Sequence, residues 1–438
     1  MNPELPLLIR NLLPGKVLLS GACLAGAASR PAGLGDLLLE VGPDFGGFRK
    51  VRGLAPRKAR VLGVGVGAPT DVPRVDASGW LLMPGLVNAH THLDLTHIGP
   101  RPAPAGFREF IDIVRAGRHS SDEAIARSVE EGVSACLSAG VVAVGDIAGV
   151  VAGRACAAPA RALAATGLHG VSFLEFFALG TGESAGLEHM REELARAAGL
   201  GRPGFRVGVQ PHAPYSASSA AFEAASGLGV PRCTHLAESA EEARLVAGAD
   251  GPLRDFLAQV GVWTAGASRD FGAGASPVAH LAPVLQRGGW TVVHVNQASD
   301  ADIALLARAR ARVVYCPRAS AYFGAERAFG PHRYRDMLRA GVDVALGTDS
   351  VINLPRPDLS VWEEMKLLRS RDGVPGETLL RMATIGGARA LGLDHRAFEI
   401  RPGATLAGLV AVRSEGGGLD AALAGGNSPV ALLLGDLA

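Results

Sequence analysis

From Leu86 onward the chain alternates short apolar, β-branched runs with longer stretches rich in Ala, Arg, Glu and Leu. Eight apolar runs can be picked out: Leu86–His92, Val141–Ile147, Gly170–Phe176, Phe205–His212, Val230–Leu236, Thr291–Val295, Arg312–Cys316 and Val342–Asp349. Between them lie segments of helical texture, including Ser121–Ala139, Leu187–Ala198, Ser218–Leu228, Glu238–Ala247, Ala301–Ala309 and His332–Ala340. Two more, Ser360–Ser370 and Pro375–Ala390, follow the last run. Repeated strand–helix units in this number predict an α/β chain, a (β/α)8 TIM-type barrel rather than an open sheet.

The flanks have a different texture. Up to about residue 80, short strands are punctuated by Gly and Pro at Lys16–Ser20, Asp36–Val41, Arg60–Val64 and Gly79–Met83. The tail returns to β-like runs at Gly408–Val412 and Val430–Leu434. Both ends together predict a small β-sandwich-like domain, residues 1–83 plus 397–438, beside a barrel over 84–396. The glycines at 63, 65 and 67 invite a nucleotide-loop reading, but no GxGxxG follows and Pro69 blocks a helix, so strand and turn are expected. Phe107, Phe110, Ile111 and Val114 form a helical stripe within Phe107–Arg118. A lid over a pocket and plain packing against the barrel are both open for it.

Composition narrows the classes. Hydrophobic residues make up 48% of the 438, charged residues 19%, and the formal net charge is +1. This describes a globular protein with a large core and no electrostatic footprint for nucleic acid. No run reaches the roughly 20 apolar residues of a membrane span. The five cysteines are widely spaced and include no CxxC, which fits a reducing cytoplasm. Val17–Cys23 resembles a secretory h-region, yet it is short and glycine-broken, and a strand is the expectation.

The candidate chemistry sits at the ends of the predicted strands. Active sites of such barrels lie at the C-terminal ends of the strands. His90 and His92 end the first strand, Gln210 and His212 the fourth, His235 the fifth, His294 the sixth and Asp349 the eighth. Side chains two apart on a strand face one way, so His90 and His92 can meet a single ion. Any one of these histidines is most simply a core or surface residue. Coincidence at the same end of five strands is not. The remaining histidines (His97, His119, His169, His189, His280, His332, His395) are expected on loops or helices in structural or solvated roles.

Pro84-Gly85-Leu86-Val87-Asn88-Ala89-His90-Thr91-His92-Leu93-Asp94 resembles the opening signature of the metal-dependent amidohydrolase superfamily. His212-Ala213-Pro214-Tyr215-Ser216, His235-Leu236-Ala237-Glu238-Ser239, Val293-His294-Val295-Asn296 and Leu346-Gly347-Thr348-Asp349-Ser350 follow in that family's order. Over residues 55–412 the chain is similar to the branch that deaminates adenine nucleosides, cytosine and guanine and hydrolyses chlorotriazine-like rings. The resemblance implies His90, His92, His235 and Asp349 as ligands of one divalent metal, zinc or iron. Relatives with two metals use a carbamylated lysine on strand four; here no lysine lies between Lys58 and Lys366, so that arrangement is closed.

The resemblance also implies roles in catalysis. Asp349 would take a proton from the metal-activated water, His294 would orient the nucleophile, and Glu238 would protonate the ring nitrogen beside the attacked carbon. The plain alternative for Glu238 is an acid at a helix N-terminus. His212 is implied as a substrate contact, with support of the barrel mouth as its alternative. Arg318 and Ser320 stand where many nucleoside deaminases carry Ser-Asn. Arg318 either binds a substrate carboxylate or forms an ion pair; Ser320 is a further candidate for substrate binding.

The leading expectation is a metal-dependent hydrolytic deaminase of an adenine-nucleoside-like compound, with a carboxylate-bearing substrate such as aminodeoxyfutalosine as a candidate. Hydrolysis of a cyclic amide or a carbon–halogen bond would use the same activated water. A non-enzymatic scaffold would be marked by lost ligands, and all four are present. A small-molecule substrate is therefore expected, with neither nucleic acid nor membrane as partner, and a homodimer is allowed because relatives commonly form one.

Overall fold

The computed structural model describes residues 4–26, 33–44, 48, 50–52, 54, 56–65, 69–414 and 418–437. Five strands precede the barrel: β1 (Gly15–Leu24), β2 (Gly33–Asp44), β3 (Pro56–Val64), β4 (Arg74–Asp76) and β5 (Trp80–Pro84). The barrel strands are β6 (Leu86–Thr91), β7 (Val141–Ala148), β8 (His169–Phe176), β9 (Phe205–Pro211), β10 (Arg232–Leu236), β11 (Trp290–His294), β12 (Arg312–Tyr315) and β13 (Asp343–Leu346). After them come β14 (Gly408–Arg413) and β15 (Val430–Gly435).

β6 to β13 pair in chain order, every adjacent pair parallel. All six residues of β6 and all eight of β7 are buried. Burial on both faces explains why these strands read as continuous apolar runs instead of alternating ones. The ring closes where Thr91 bridges Asp349 and the Thr348 and Asp349 amides both donate to the His90 carbonyl at 3.1 Å. Gly347 is needed at this seam, because a Cβ there would lie 2.9 Å from that of His90.

The small domain draws on both flanks, in the order β2-β3-β15-β14-β5-β1-β4. β1 also pairs with β2, so six of its seven strands close on one another around Val17, Leu19, Leu37, Leu39, Val61, Trp80 and Leu432. Val17–Cys23 is part of β1, hydrogen-bonded to β2 and β5. Gly63 ends up in β3 and Gly65 just after it; Gly67 lies outside the described residues.

Two elements stand over the barrel mouth. The stripe at 107–114 forms a helix over Phe107–Gly117. The connection from β10 to β11 is long and carries helices at Ala240–Gly248, Pro252–Gln259, Pro277–His280 and Ala282–Leu285. Phe107 packs with Tyr215, Leu245, Leu253 and Leu257 in one apolar cluster. The Arg108 guanidinium lies 4.5 Å over the Phe256 ring, tying the helix to that insertion. Among the described residues no helix is long and apolar enough to cross a membrane.

Candidate active site

The residues expected at the strand ends converge. His90 and His92 leave β6 on the same side, with ring centroids 5.0 Å apart. His235, from β10, places its ring 5.1 Å from His90 and 5.6 Å from His92. Ligand atoms of these three histidines lie within 4.8 Å of one another, as do those of Glu238, His294 and Asp349. Asp349 joins the two sets: its Oδ1 is 3.6 Å from His90 Nε2 and 3.4 Å from His92 Nε2.

Backbone geometry aims these groups. Ala237, His294 and Asp349 adopt left-handed conformations, with φ of 52°, 74° and 61°. Non-glycine residues rarely do so, and such strain persists where the surroundings enforce it. Ala237 directly follows β10, His294 ends β11 and Asp349 lies three residues past β13.

Burial and neighbouring charge shift groups of the cluster in opposite directions. Burial pushes the His92 and His235 imidazoles well below their ordinary range, and His294 down to about 3. Burial alone would raise the Asp349 carboxyl, but the imidazoles of His90, His92 and His294 outweigh it and hold it below the usual carboxylate range. Glu238 goes the other way. Burial, then the charges of Asp349, Glu242 and Glu241, drive its carboxyl well above normal, toward the protonated form. It sits 3.5 Å from His294 Nε2.

This donor set fits a small cation. Four ligands about 2.1 Å from a tetrahedral ion stand roughly 3.4 Å from each other. The Asp349–His90 and Asp349–His92 separations match that spacing and exceed ordinary hydrogen-bond lengths. Both ring nitrogens of His90 and Nδ1 of His92 are buried without a hydrogen-bond partner. Gln210 reaches the His235 ring nitrogens at 3.4 Å.

Above this floor opens a cavity of about 680 Å³. His92, His235, Glu238 and Asp349 line its base, and Phe107, Phe110, Phe177 and Tyr215 its wall. His212 is in that wall, with Nδ1 2.7 Å from Ser216 Oγ and Nε2 3.8 Å from Glu175 Oε1. Burial, helped by Arg118, lowers its imidazole to about 3, so it faces the cavity uncharged.

Arg318 and Ser320 are not brought to the cavity. Arg318 donates to Glu364 at 2.6 Å, to Asp358 at 2.9 Å and to the Ser360 carbonyl at 2.9 Å. Its fork is spent inside the protein, which corrects the expectation that it meets a substrate carboxylate; the ion-pair alternative describes it. Ser320 is buried and donates to Asn296 Oδ1 at 2.6 Å, so its hydroxyl also faces inward. His169 departs from its expected loop or helix as well. It begins β8, buried, with Nε2 2.8 Å from the Gly435 carbonyl.

The cavity also holds cations that reasoning from strand ends does not reach. Arg118, just beyond the Phe107–Gly117 helix, bridges Asp94 at 2.7 Å and Glu175 at 3.2 Å, and Arg115 lines the same wall. Glu175 had a legible signal, because it stands near the C-terminal end of the third barrel strand. Arg118 had none beyond its place in the candidate lid.

Comparison with known proteins matches residues 81–429 to the amidohydrolase family. Aminodeoxyfutalosine deaminase from Deinococcus radiodurans is 31% identical over 333 residues, covering 72% of this chain and 75% of that protein. A 5-methylthioadenosine/S-adenosylhomocysteine deaminase from Halobacterium salinarum is 28% identical over 360 residues, covering 77% of this chain and 75% of its own length. Among solved structures, Helicobacter pylori aminofutalosine deaminase in complex with methylthio-coformycin superposes with a TM-score of 0.73 at 18% identity, covering 94% of this chain and 95% of that one. An adenosine deaminase from Xanthomonas campestris with bound zinc gives 0.64 at 23%, covering 91% and 85%. The two structures share the fold; the family match and the Deinococcus relative establish that the chain belongs to the amidohydrolase family, hydrolases of carbon–nitrogen bonds.

Proposed function

We propose that the protein is a hydrolytic deaminase of an adenine-nucleoside-like compound, working with one divalent metal, zinc by preference, held by His90, His92, His235 and Asp349. The observation that carries this reading is the convergence of His90, His92, His235, Glu238, His294 and Asp349 beneath one cavity, with His92, His235, Glu238 and Asp349 lining its base. The names of the relatives from Deinococcus and Halobacterium point the same way.

The bound ion supplies Lewis-acid activation of water. The remaining work falls to side chains. Asp349, ionised beside His90 and His92, accepts the proton that the attacking water gives up. His294, neutral and buried, hydrogen-bonds the nucleophile and steadies the charge that develops as the carbon–oxygen bond forms. Glu238 enters protonated and gives its proton to the ring nitrogen beside the attacked carbon, which spares the ring a full negative charge. Proton return from Asp349 to the exocyclic nitrogen breaks the carbon–nitrogen bond and releases ammonia, while the hydroxyl proton on the attacked carbon passes to Glu238 as the ring carbonyl forms. His212 contacts the substrate from the wall.

The wall also favours a substrate with an apolar arm ending in an anion. Apolar side chains, five of them Phe or Tyr, supply about half of that lining, and exposed Arg115 stands among them. Arg118 is already neutralised by Asp94 and Glu175, so Arg115 is the cation to meet a carboxylate. Aminodeoxyfutalosine meets that description. The five cysteines are all free, which supports a reducing cytoplasm.

The test is ammonia release by metal-loaded protein offered adenosine, S-adenosylhomocysteine, aminodeoxyfutalosine, guanine and cytosine. Release from an adenine nucleoside is expected. Silence toward all five, with turnover of a hydantoin or a chlorotriazine, would overturn the reading.

A further inference from the structure

We infer that Glu242, Asn296 and Ser320 form a clamp that aims the Glu238 carboxyl, which makes them positioning residues for the proton-donating step. The inference rests on Glu238 being that proton donor, as proposed above.

Glu238 lies in the short turn between β10, which ends at Leu236, and the helix that starts at Ala240. Ala237 in this turn is left-handed, at φ 52°. Two successive amides of the turn are taken by different oxygens of one carboxyl: Ala237 N–H donates to Glu242 Oε1 at 2.8 Å, and Glu238 N–H to Oε2 at 2.8 Å. The opposite side is held as well. Asn296 Nδ2 donates to the Glu238 carbonyl at 2.9 Å, and the Asn296 amide donates to the Ala237 carbonyl at 2.9 Å. Asn296 is itself fixed, because its Oδ1 accepts the Ser320 hydroxyl at 2.6 Å.

The amide and the carbonyl of both Ala237 and Glu238 are thereby tied down. Glu238 and its three holders are all buried. The holders come from three successive strand–helix units: the helix after β10, the loop after β11 and the Pro317–Tyr322 helix after β12.

Helix capping explains only part of the placement of Glu242. The N-cap of its helix is Ser239, whose side chain already accepts the Glu242 amide at 3.2 Å. Glu242 reaches back to the amide of that cap and, past it, to the amides of Ala237 and Glu238. A carboxylate in a dry interior is costly unless its oxygens are satisfied, and here the satisfying donors are the amides that set the Glu238 backbone. Misplacing a reacting group by about 1 Å can cost roughly 100-fold in rate, so a turn this constrained has a kinetic consequence.

The experiment is a mutant cycle on the metal-loaded enzyme with its best adenine-nucleoside substrate. Glu242→Gln keeps the shape but turns one accepting oxygen into an amide that faces an N–H. We expect kcat to fall about 10–100-fold, KM to stay within about twofold, and metal content to stay unchanged. Asn296→Ala should behave alike and Ser320→Ala more weakly. In a Glu238→Gln background the same substitutions should add less than about threefold, because there is no donor left to aim. Equal losses in both backgrounds, with lowered Tm and altered KM, would reduce the trio to structural support and overturn the clamp. Full activity of Glu242→Gln and Asn296→Ala beside a crippled Glu238→Gln would also overturn it, while leaving the proton-donor reading intact. Wild-type turnover by Glu238→Gln would take both down. Should Glu242→Gln fail to fold, Asn296→Ala and Ser320→Ala carry the cycle alone.

Discussion

The two ends of the barrel bury the same kinds of side chain and treat them differently. At the N-terminal end, His169 leans on the Gly435 carbonyl, Arg206 donates to the Leu391 and Gly392 carbonyls, and Thr291 donates to that of Ala390. These three side chains each close onto backbone and staple strands to what lies beneath them, although Nδ1 of His169 is buried without a partner. At the C-terminal end, His90 keeps both ring nitrogens free of partners and Asp349 stands between imidazoles. Burial lowers the basicity of histidines at both ends, so a perturbed imidazole does not by itself mark chemistry. What distinguishes the mouth is unspent bonding capacity pointed at a common centre.

That contrast can be broken most sharply at His235. His235→Ala should strip the bound metal and cut kcat/KM by more than about 10³-fold, since water activation is lost with the ion. Elemental analysis and ammonia release would read this, and retained metal with retained activity would erase the distinction between the ends. Arg318→Ala should act as a bottom-type residue despite its place after β12. Removing it leaves Glu364 buried without its partner, at a cost of about 3–5 kcal/mol in denaturant unfolding. Discrimination between neutral and anionic substrates should not move.

His169 gives a pH signature with a definite sign. Burial lowers its pKa to about 4, against an ordinary 6.5, so the fold favours the neutral ring. Its stabilisation is complete above about pH 6.5 and drains away as pH falls toward about 4, by about 3 kcal/mol in all. His169→Gln should flatten that stretch of a stability–pH curve while leaving kcat at neutral pH unchanged. The smallest effect belongs to Arg115. Arg115→Gln should raise KM about tenfold for a carboxylate-bearing nucleoside and leave the uncharged analogue alone.

Much of this layout is legible in the chain because parallel barrel strands are buried on both faces and so stand out as apolar runs. The runs Leu86–His92 and Gly170–Phe176 fall within a residue of the strands Leu86–Thr91 and His169–Phe176. The convergence of His90, His92, His235, His294 and Asp349 follows from one positional rule about strand ends. Arg318 escapes that rule because sequence position places it after a strand but cannot say which way a long side chain turns, and Glu364 lies 46 residues further on. The roles of Glu242 and Asn296 are hidden for a related reason. Their partners are backbone groups of a left-handed turn, and a φ angle leaves no trace in the residue Ala237 itself. The short strand Arg74–Asp76 and the helices inserted at 252–285 lack the length or periodicity that would announce them.

The seam of the barrel has a consequence for how the protein comes apart. His90 and Asp349 hold the first strand to the residues following the last, through backbone and side chain at once. An ion gripped by both would act as a rivet across the one joint where the ring is closed by residues far apart in sequence. Occupancy would then be written into folding stability by mass action. Chelation should speed amide exchange at Thr348 and Asp349 before it reaches the strands opposite, so that the proposed metal site and the seam of the cylinder share one address.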